Sequence, residues 1–249
     1  MQQWHRHHPD FHIEAISCHV WALSLDQANA DYPALWEILA DDEKQRADTL
    51  RLAAAKRQFV LTRGTLRTLL GLYLDIAPND CRFARSEFGK PCLRAPARDL
   101  RFNVAHSGTQ ALIAIAQGAD VGVDIEIQRT LDDLEAVARM ILSPSEWECW
   151  QTLTEPERTS AFYAIWTHKE AITKASGQGL LREPSTVELS LGPGRPVKLL
   201  RIPGWANPQS WTVNELDAPP GYSAALASPA SGLRVVQRRL EPGTAGLRH

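Results

Sequence analysis

The segment from Val121 to Ile127 constrains the fold of this chain most, because apolar and acidic residues alternate along it. Successive side chains of a β-strand point to opposite faces, so one face carries only apolar side chains: Val123, Ile125 and Ile127. The other face carries Gly122, Asp124 and Glu126. Since the apolar face requires a hydrophobic core, the segment predicts a half-buried strand that presents two neighbouring carboxylates on its second face.

Two carboxylates on the same face of a strand repel each other unless a positive charge lies between them. Hard divalent cations suit such a pair, and Mg²⁺ is commonly held by one or two carboxylates together with substrate phosphates. The spacing of Asp124 and Glu126 therefore predicts a Mg²⁺ site, and Gly122 leaves space beside it.

A second informative stretch runs from Ala161 to Ser176, contains neither proline nor glycine, and ends before Gly177, which predicts a helix. Helical spacing places Trp166, Glu170 and Lys174 on one face. Three apolar residues lie mostly on another face and anchor the helix: Phe162, Ile165 and Ile172. Glu170 is a candidate third metal ligand or general base, and Lys174 is a candidate to neutralise phosphate charge.

The composition of the chain argues against several classes of function. Its 249 residues suffice for one large domain or for two smaller ones, and the formal net charge of −2 gives no argument for a nucleic-acid partner. No apolar run approaches the roughly 18 residues of a membrane span, and residues 1–10 lack the apolar core of a secretory signal. The four cysteines are widely spaced, which fits reduced thiols, so we expect a cytoplasmic protein that binds neither nucleic acid nor membrane.

Further patterns indicate a mixture of helices and strands. Ala53–Leu74 is the longest helical pattern, and the apolar strand Ala111–Ala116 is expected to pair with the acidic strand as a hairpin. Ser143–Glu146 matches a capping box, which favours a structural role for Glu146 over a metal-binding one. Between Thr186 and Leu240, five short strands are predicted from apolar runs that proline and glycine separate.

Five motifs occur in order between about residues 41 and 180. From the N-terminus, they are the charged element Asp42–Ala47, the turn Phe88–Pro91, the segment Phe102–Ser107, the strand motif Gly122–Glu126 and the helix motif Trp166–Lys174. In this order the chain resembles the 4′-phosphopantetheinyl transferases of the surfactin-synthetase-activating (Sfp) type, in the variant with Trp and Lys-Glu-Ala. The chain departs from the family pattern at Ala105, where serine is commoner.

The resemblance implies an α+β fold with two similar halves in one chain, a pseudo-dimeric arrangement with the active site in the cleft between the halves. We accordingly place an N-terminal half with coenzyme A-binding elements at residues 1–120. A C-terminal half with metal-binding and catalytic elements follows at residues 121–249. We expect the protein to act as a monomer.

The resemblance also implies roles for individual residues. Mg²⁺ ligands are expected at Asp124, Glu126 and Glu170, and catalytic roles at Glu170 and Lys174, with Glu170 acting as base, metal ligand or both. Contacts to coenzyme A are expected from a basic set: Arg46, Arg57, Lys90, His106, Lys169 and Lys174. On the long helix, the resemblance favours Arg57 as the coenzyme A contact, and Arg63 and Arg67 are interpreted as structural or solvated.

The implied activity is Mg²⁺-dependent transfer of 4′-phosphopantetheine from coenzyme A to a serine of an apo acyl or peptidyl carrier protein, with 3′,5′-ADP as the second product. The carrier could serve fatty-acid, polyketide or nonribosomal-peptide synthesis. One alternative is a Mg²⁺-dependent phosphohydrolase that uses the same acids with water as the nucleophile. Another is an inactive coenzyme A-binding or carrier-docking module, against which the intact acidic and basic residues argue.

Overall fold

The computed structural model describes residues 11–26, 31–87, 89–95, 99–177, 183–190, 197–205 and 207–240. Residues 1–10, examined above for a secretory signal, and Phe88 of the turn motif lie outside the described residues.

In the described part of the chain, two groups of three α-helices are separated and followed by groups of strands. The six helices are α1 (Tyr32–Glu37), α2 (Asp41–Thr49), α3 (Ala53–Leu74), α4 (Leu134–Ile141), α5 (Pro144–Gln151) and α6 (Glu155–Ser176). The strands are β1 (Ser17–Ser24), β2 (Arg82–Arg85), β3 (Pro91–Ala95), β4 (Leu100–Ser107), β5 (Gln110–Gln117), β6 (Gly122–Ile127), β7 (Glu188–Leu189), β8 (Leu199–Arg201), β9 (Thr212–Glu215), β10 (Tyr222–Ser228) and β11 (Arg234–Arg239). None of the described helices combines the length and the apolar character needed to cross a bilayer.

The strands form two main sheets that repeat one topology. The first sheet has the order β11-β1-β5-β4, and the second has the order β6-β10-β9. Strands β1, β5 and β4 therefore correspond to β6, β10 and β9, and all neighbours within these two triplets are antiparallel. Each half also contains a two-stranded hairpin, β2-β3 or β7-β8, and a 22-residue helix, α3 or α6. This repetition confirms the prediction of an α+β fold with two similar halves.

The two sheets face each other between the two long helices. On one face of the first sheet, side chains such as Trp21 and Ile113 pack with α3 residues such as Leu70. On one face of the second sheet, side chains such as Ala225 pack with α6 residues such as Ile172. The remaining inner faces share a third cluster: Cys18, Val20, Leu112, Ala114, Val123, Ile125 and Leu226. The apolar face predicted for the acidic strand therefore lies between the sheets, and its acidic face points towards α6.

The predicted hairpin between the apolar strand and the acidic strand is wrong. Both edges of β5 are already occupied, since β1 pairs on one side and β4 on the other. Strand β6 therefore starts the second sheet, where it pairs with β10. The last strand also departs from a simple division of the chain, because β11 pairs in parallel with β1 in the first sheet.

Helix α6 starts earlier than the sequence suggested. The helix begins at Glu155, so Pro156 lies in its first turn, where a proline costs no backbone hydrogen bond. Thr154 precedes this turn and forms a capping box with Glu157. The capping box at Ser143 and Glu146 is confirmed.

Candidate functional site

The acidic strand and α6 pack so closely that only glycine fits between them. A Cβ atom on Gly122 would overlap the carbonyl oxygen of Ala171 and the amide nitrogen of Ala175, both in the backbone of α6. Because the helix lies directly on β6 at this point, the next residue on the same strand face, Asp124, meets the side chains of α6. This packing brings Glu170 and Lys174 to the carboxylates of the strand.

Asp124 is 4 % exposed, and its two carboxylate oxygens have different surroundings. Lys174 Nζ lies 2.6 Å from Oδ1 and also donates to the carbonyl oxygen of Val123 at 3.2 Å. Oδ2 is buried and has no hydrogen-bond partner. Burial raises the pKa of the Asp124 carboxyl, an effect that the charge of Lys174 opposes and the charge of Glu126 reinforces.

The other two acids lie near Asp124 and are less buried. Glu126 accepts a hydrogen bond from Ser107 Oγ on β4, at 2.7 Å from its Oε2. Burial raises the pKa of the Glu170 carboxyl, and the negative charge of Asp124 raises it further, whereas Lys174 lowers it. The charge of Glu126 raises the pKa of both Asp124 and Glu170, and the charge of Asp124 raises that of Glu170. The three acids on β6 and α6 therefore form one acidic cluster.

This cluster offers the oxygen donors that a hard divalent cation requires. In the part of the chain that the structure describes, no three His, Cys, Asp or Glu side chains already stand as a set of metal ligands. The acids instead contact donors of the chain itself, namely Lys174 and Ser107. The buried Oδ2 of Asp124 lacks a partner, and a buried oxygen of this kind is costly unless a cation or donor satisfies it. The residues present therefore fit Mg²⁺.

A cavity of about 420 Å³ lies in the N-terminal half. It is enclosed by α2, α3, β4 and the β2-β3 hairpin, and its lining includes four basic side chains: Arg46, Arg63, Arg85 and His106. Phe59 and Phe102 add aromatic surface. The cavity belongs to the first half alone, but His106 on β4 directly precedes Ser107, which binds Glu126 of the second half. The predicted site between the halves is therefore divided into a basic cavity and an acidic cluster that meet at β4.

Two of the basic cavity residues, Arg63 and Arg85, were missed by the sequence analysis. Arg63 Nε lies 3.4 Å from Glu43 Oε1, and Glu43 Oε2 accepts from Arg67 Nε at 2.6 Å. Arg63 Nη1 is buried without a partner, and burial lowers the pKa of this guanidinium. The helical spacing of Arg63 with Phe59 and Leu66, which also line the cavity, was the available signal. Arg67 is structural, as expected.

Arg57 and Lys90 do not line the cavity. Arg57 is exposed and lies two residues from Phe59, hence on the opposite face of α3, which does not support the expected coenzyme A contact. Lys90 Nζ donates to the carbonyl oxygen of Val121 at 2.9 Å, and burial lowers the pKa of its ammonium. Lys90 therefore lies at the start of the acidic strand.

Lys169 does not reach the acidic cluster, which corrects the expectation of a phosphate contact. Its side chain is 2 % exposed, and Nζ lies 2.6 Å from Glu146 Oε2 and 2.8 Å from the carbonyl oxygen of Ile141. Glu146 also accepts from the amide of Leu189. Adjacent helix positions differ by about 100°, so Lys169 faces the core while Glu170 faces the cluster. Lys169 and Glu146 join α6 to α4, α5 and β7.

Comparisons with known proteins agree with this arrangement of two halves. The family described as "4′-phosphopantetheinyl transferase, N-terminal" matches residues 26–118, and the "4′-phosphopantetheinyl transferase superfamily" matches residues 120–227. The 4′-phosphopantetheinyl transferase HetI of a Nostoc species is 34 % identical over 200 residues, which cover 80 % of this chain and 84 % of that protein.

A relative from Bacillus subtilis, the 4′-phosphopantetheinyl transferase Sfp, is 29 % identical over 181 residues, covering 69 % of this chain and 78 % of that protein. Among solved structures, the holo-[acyl-carrier-protein] synthase of Thermotoga maritima matches with 22 % identity and a TM-score of 0.35, over 45 % of this chain and 63 % of that one. On the strength of the family matches and the identity to HetI, this chain belongs to the 4′-phosphopantetheinyl transferase superfamily.

Proposed function

We propose that the protein transfers 4′-phosphopantetheine from coenzyme A to a serine hydroxyl of an apo acyl or peptidyl carrier protein, releasing 3′,5′-ADP. The observation that carries this proposal is the meeting of three acids, Asp124, Glu126 and Glu170, with Lys174. Strand β4 links this cluster to a cavity lined by arginines, because its Ser107 contacts Glu126 and its His106 lines the cavity. The acids suit a metal-bound pyrophosphate, and the cavity suits the nucleotide end of the same substrate.

The cavity residues bind the phosphate groups of coenzyme A in this proposal. Arg46, Arg63 and Arg85 offer guanidinium donors, which pair well with phosphate oxygens, and the imidazole of His106 adds an N–H donor. Arg63 has the strongest support, because its buried Nη1 lacks a partner within the protein. Lys90 remains a candidate contact to the pyrophosphate from the start of β6.

Asp124, Glu126 and Glu170 are the proposed Mg²⁺ ligands. When bound there, Mg²⁺ supplies charge neutralisation at the pyrophosphate oxygens and so favours displacement at phosphorus. Asp124 has the strongest support as a ligand, since Oδ2 is buried without a partner. Lys174 binds the other carboxylate oxygen of Asp124, Oδ1. Because Lys174 shares one face of α6 with Glu170, it is also available to contact the substrate phosphates.

Glu170 is the proposed base for the attacking hydroxyl. Burial and the neighbouring acids raise the pKa of its carboxyl, and a higher pKa makes the carboxylate a better proton acceptor. The serine oxygen attacks the phosphorus that bears pantetheine, and its proton passes to Glu170. The bond from that phosphorus to the bridging oxygen breaks, and 3′,5′-ADP leaves with its new charge near Lys174.

We also propose two halves divided at residues 120 and 121, action as a monomer and a cytoplasmic location. The division at residues 120 and 121 is supported by the boundary between the two family matches, although β11 returns to the first sheet. Action as a monomer is supported because both halves of the site belong to one chain. A cytoplasmic location is supported by the buried free thiols of Cys18 and Cys81, which suit a reducing compartment.

The test is to incubate the protein with coenzyme A, Mg²⁺ and an apo carrier protein, and to measure carrier mass and released nucleotide together. The proposal predicts one phosphopantetheine added per carrier and an equal amount of 3′,5′-ADP. Release of inorganic phosphate without a change in carrier mass would favour the phosphohydrolase, which none of the family matches or relatives reported above supports.

A further inference from the structure

Strand β4 presents its polar side chains to the second half of the molecule. Side-chain alternation directs Phe102 and Val104 towards α3, whereas Ala105 joins the cluster between the sheets. Asn103 and Ser107 share the face of Ala105 and so point towards β6. His106 lies on the α3 side and lines the basic cavity.

Asn103 and Ser107 supply hydrogen-bond acceptors for backbone amides on the edge of β6 that faces away from β10. The amide of Val123 donates to Asn103 Oδ1 at 2.9 Å, and the amide of Ile127 donates to Ser107 Oγ at 3.2 Å. Both contacts join residues that are 20 positions apart, so β4 runs alongside β6 in one register. Side chains take the place of the backbone hydrogen bonds that would join two paired strands.

Ser107 makes a second contact that a purely structural residue would not need. A hydroxyl has one donor hydrogen and two acceptor lone pairs, and the amide of Ile127 occupies one of these lone pairs. The hydrogen is therefore available to Glu126 Oε2, at 2.7 Å. This pair of contacts orients the hydroxyl and restrains the Glu126 carboxylate towards one direction.

The turn that follows Ser107 is held by both halves of the molecule. Gln58 Nε2 on α3 donates to the carbonyl oxygen of Gly108 at 2.8 Å. Tyr222 Oη on β10 accepts from the amide of Thr109 at 3.2 Å. Gly108 has a φ of +55°, and a Cβ there would lie 2.6 Å from Tyr222 Oη, so this position of the turn requires glycine. The end of β4 is therefore a fixed support.

We propose that Ser107 is a positioning residue that orients the Glu126 carboxylate for metal binding. The inference rests on the proposed assignment of Glu126 as a Mg²⁺ ligand. Hydrogen bonds to a ligating carboxylate fix its orientation, and their loss typically lowers metal affinity about 10–100-fold.

The experiment measures Mn²⁺ binding by electron paramagnetic resonance, together with kcat and the KM values for Mg²⁺ and coenzyme A, in the full-length protein. Ser107→Ala is expected to weaken Mn²⁺ binding about 10-fold or more and to raise the KM for Mg²⁺, with less than about a two-fold change in the KM for coenzyme A. Ser107→Thr keeps the hydroxyl and is expected to restore most of the Mn²⁺ affinity.

Ser190→Ala is the matched control, since Ser190 Oγ accepts from the amide of Lys198 in the β7-β8 hairpin and contacts no acid of the cluster. A double mutant with Glu126→Gln tests whether Ser107 acts on metal binding through Glu126. In the Glu126→Gln background, Ser107→Ala should add no further loss of Mn²⁺ affinity. Wild-type Mn²⁺ affinity in Ser107→Ala, or full additivity with Glu126→Gln, would overturn the inference. An active wild type with either result leaves the proposed function intact, whereas an inactive wild type contradicts the proposed function itself.

Discussion

Asp124 faces two environments at once. Lys174 neutralises one oxygen at 2.6 Å, while the other oxygen is buried without a partner. Burying a carboxylate is costly unless its oxygens are compensated, so in the proposed function Lys174 compensates Oδ1 and a cation would compensate Oδ2. The ammonium of Lys174, the proposed phosphate contact, would therefore also compete with a cation for the negative charge of Asp124.

This competition gives a prediction for Lys174→Ala. Loss of the ammonium removes both a competitor for Asp124 Oδ1 and positive charge near the phosphates. We expect Mn²⁺ to bind several-fold more tightly in the absence of coenzyme A, while the single-turnover transfer rate falls about 100-fold or more. Lys56→Ala is the control, because Lys56 pairs with Asp48 at 2.7 Å on the exposed surface. Weaker Mn²⁺ binding in Lys174→Ala would contradict the competition.

His168 provides a prediction about pH and stability. It is buried on α6, its Nδ1 lies 2.6 Å from the carbonyl oxygen of Ala164, and its Nε2 has no partner. Burial lowers the pKa of this imidazole, an effect that the hydrogen bond to Ala164 opposes. The unfolded chain therefore takes up a proton more readily than the folded protein does, so stability is present above about pH 6.5 and is lost as the pH falls.

Urea unfolding of wild type and His168→Leu at about pH 7.5 and about pH 5.5 tests this sign. Between these values the wild type should lose about 1 kcal/mol more stability than the variant, since each pKa unit is worth about 1.4 kcal/mol. Equal losses in the two proteins would show that His168 keeps its ordinary pKa on folding.

At the level of secondary-structure elements, the site depends on how α6 lies on β6. Gly122 allows the helix backbone to touch the strand, and this contact sets the height of Glu170 and Lys174 above Asp124. On the other side of the helix, the buried pair of Lys169 and Glu146 fastens α6 to its neighbours. Contacts on both sides therefore fix the rotation of α6 about its axis.

Gly122→Ala should damage both stability and transfer. The added Cβ meets backbone atoms of Ala171 and Ala175, which cannot move unless the whole helix shifts. We expect a loss of about 3 kcal/mol in the free energy of unfolding, together with slower transfer in the folded fraction. A crystal structure or urea titration that shows an unmoved α6 and unchanged stability would refute this packing argument.

Lys169→Ala should behave differently, because Lys169 contacts Glu146 and not the acidic cluster. Removing one partner of a buried ion pair leaves the other uncompensated, so we expect a loss of about 3–5 kcal/mol in the free energy of unfolding. The KM for coenzyme A in the folded protein should stay near the wild-type value. An increased KM at unchanged stability would return Lys169 to the substrate site.

The sequence was sufficient for elements whose signal is local. The alternation along β6, the helical face of Glu170 and Lys174, and the capping box at Ser143 are confirmed, since each follows from period or spacing alone. The failures involve partners that are distant in the chain. The pairing of β6 with β10, the burial of Lys169 against Glu146 and the place of Arg63 in the cavity all depend on packing between separate segments.

At the level of the whole molecule, two similar halves contribute different chemistry. The first half supplies the basic cavity through α2, α3 and β4, and the second supplies the acids through β6 and α6. The halves are joined by the apolar cluster between the sheets, by the side chains of β4 along β6, and by β11, which returns to the first sheet. The repeat was expected from family resemblance, and its strand order became visible only in the fold.

In the proposed function, the acidic cluster supports Mg²⁺-dependent transfer of phosphopantetheine to a carrier protein. The most direct test is the single-turnover rate of carrier modification, followed by intact mass, for wild type and Asp124→Asn at saturating coenzyme A and Mg²⁺. Asparagine keeps the shape of the side chain and removes its charge. We expect a rate at least about 100-fold lower in Asp124→Asn with the fold retained. An Asp124→Asn rate equal to that of the wild type would exclude a role for the acidic cluster in the transfer.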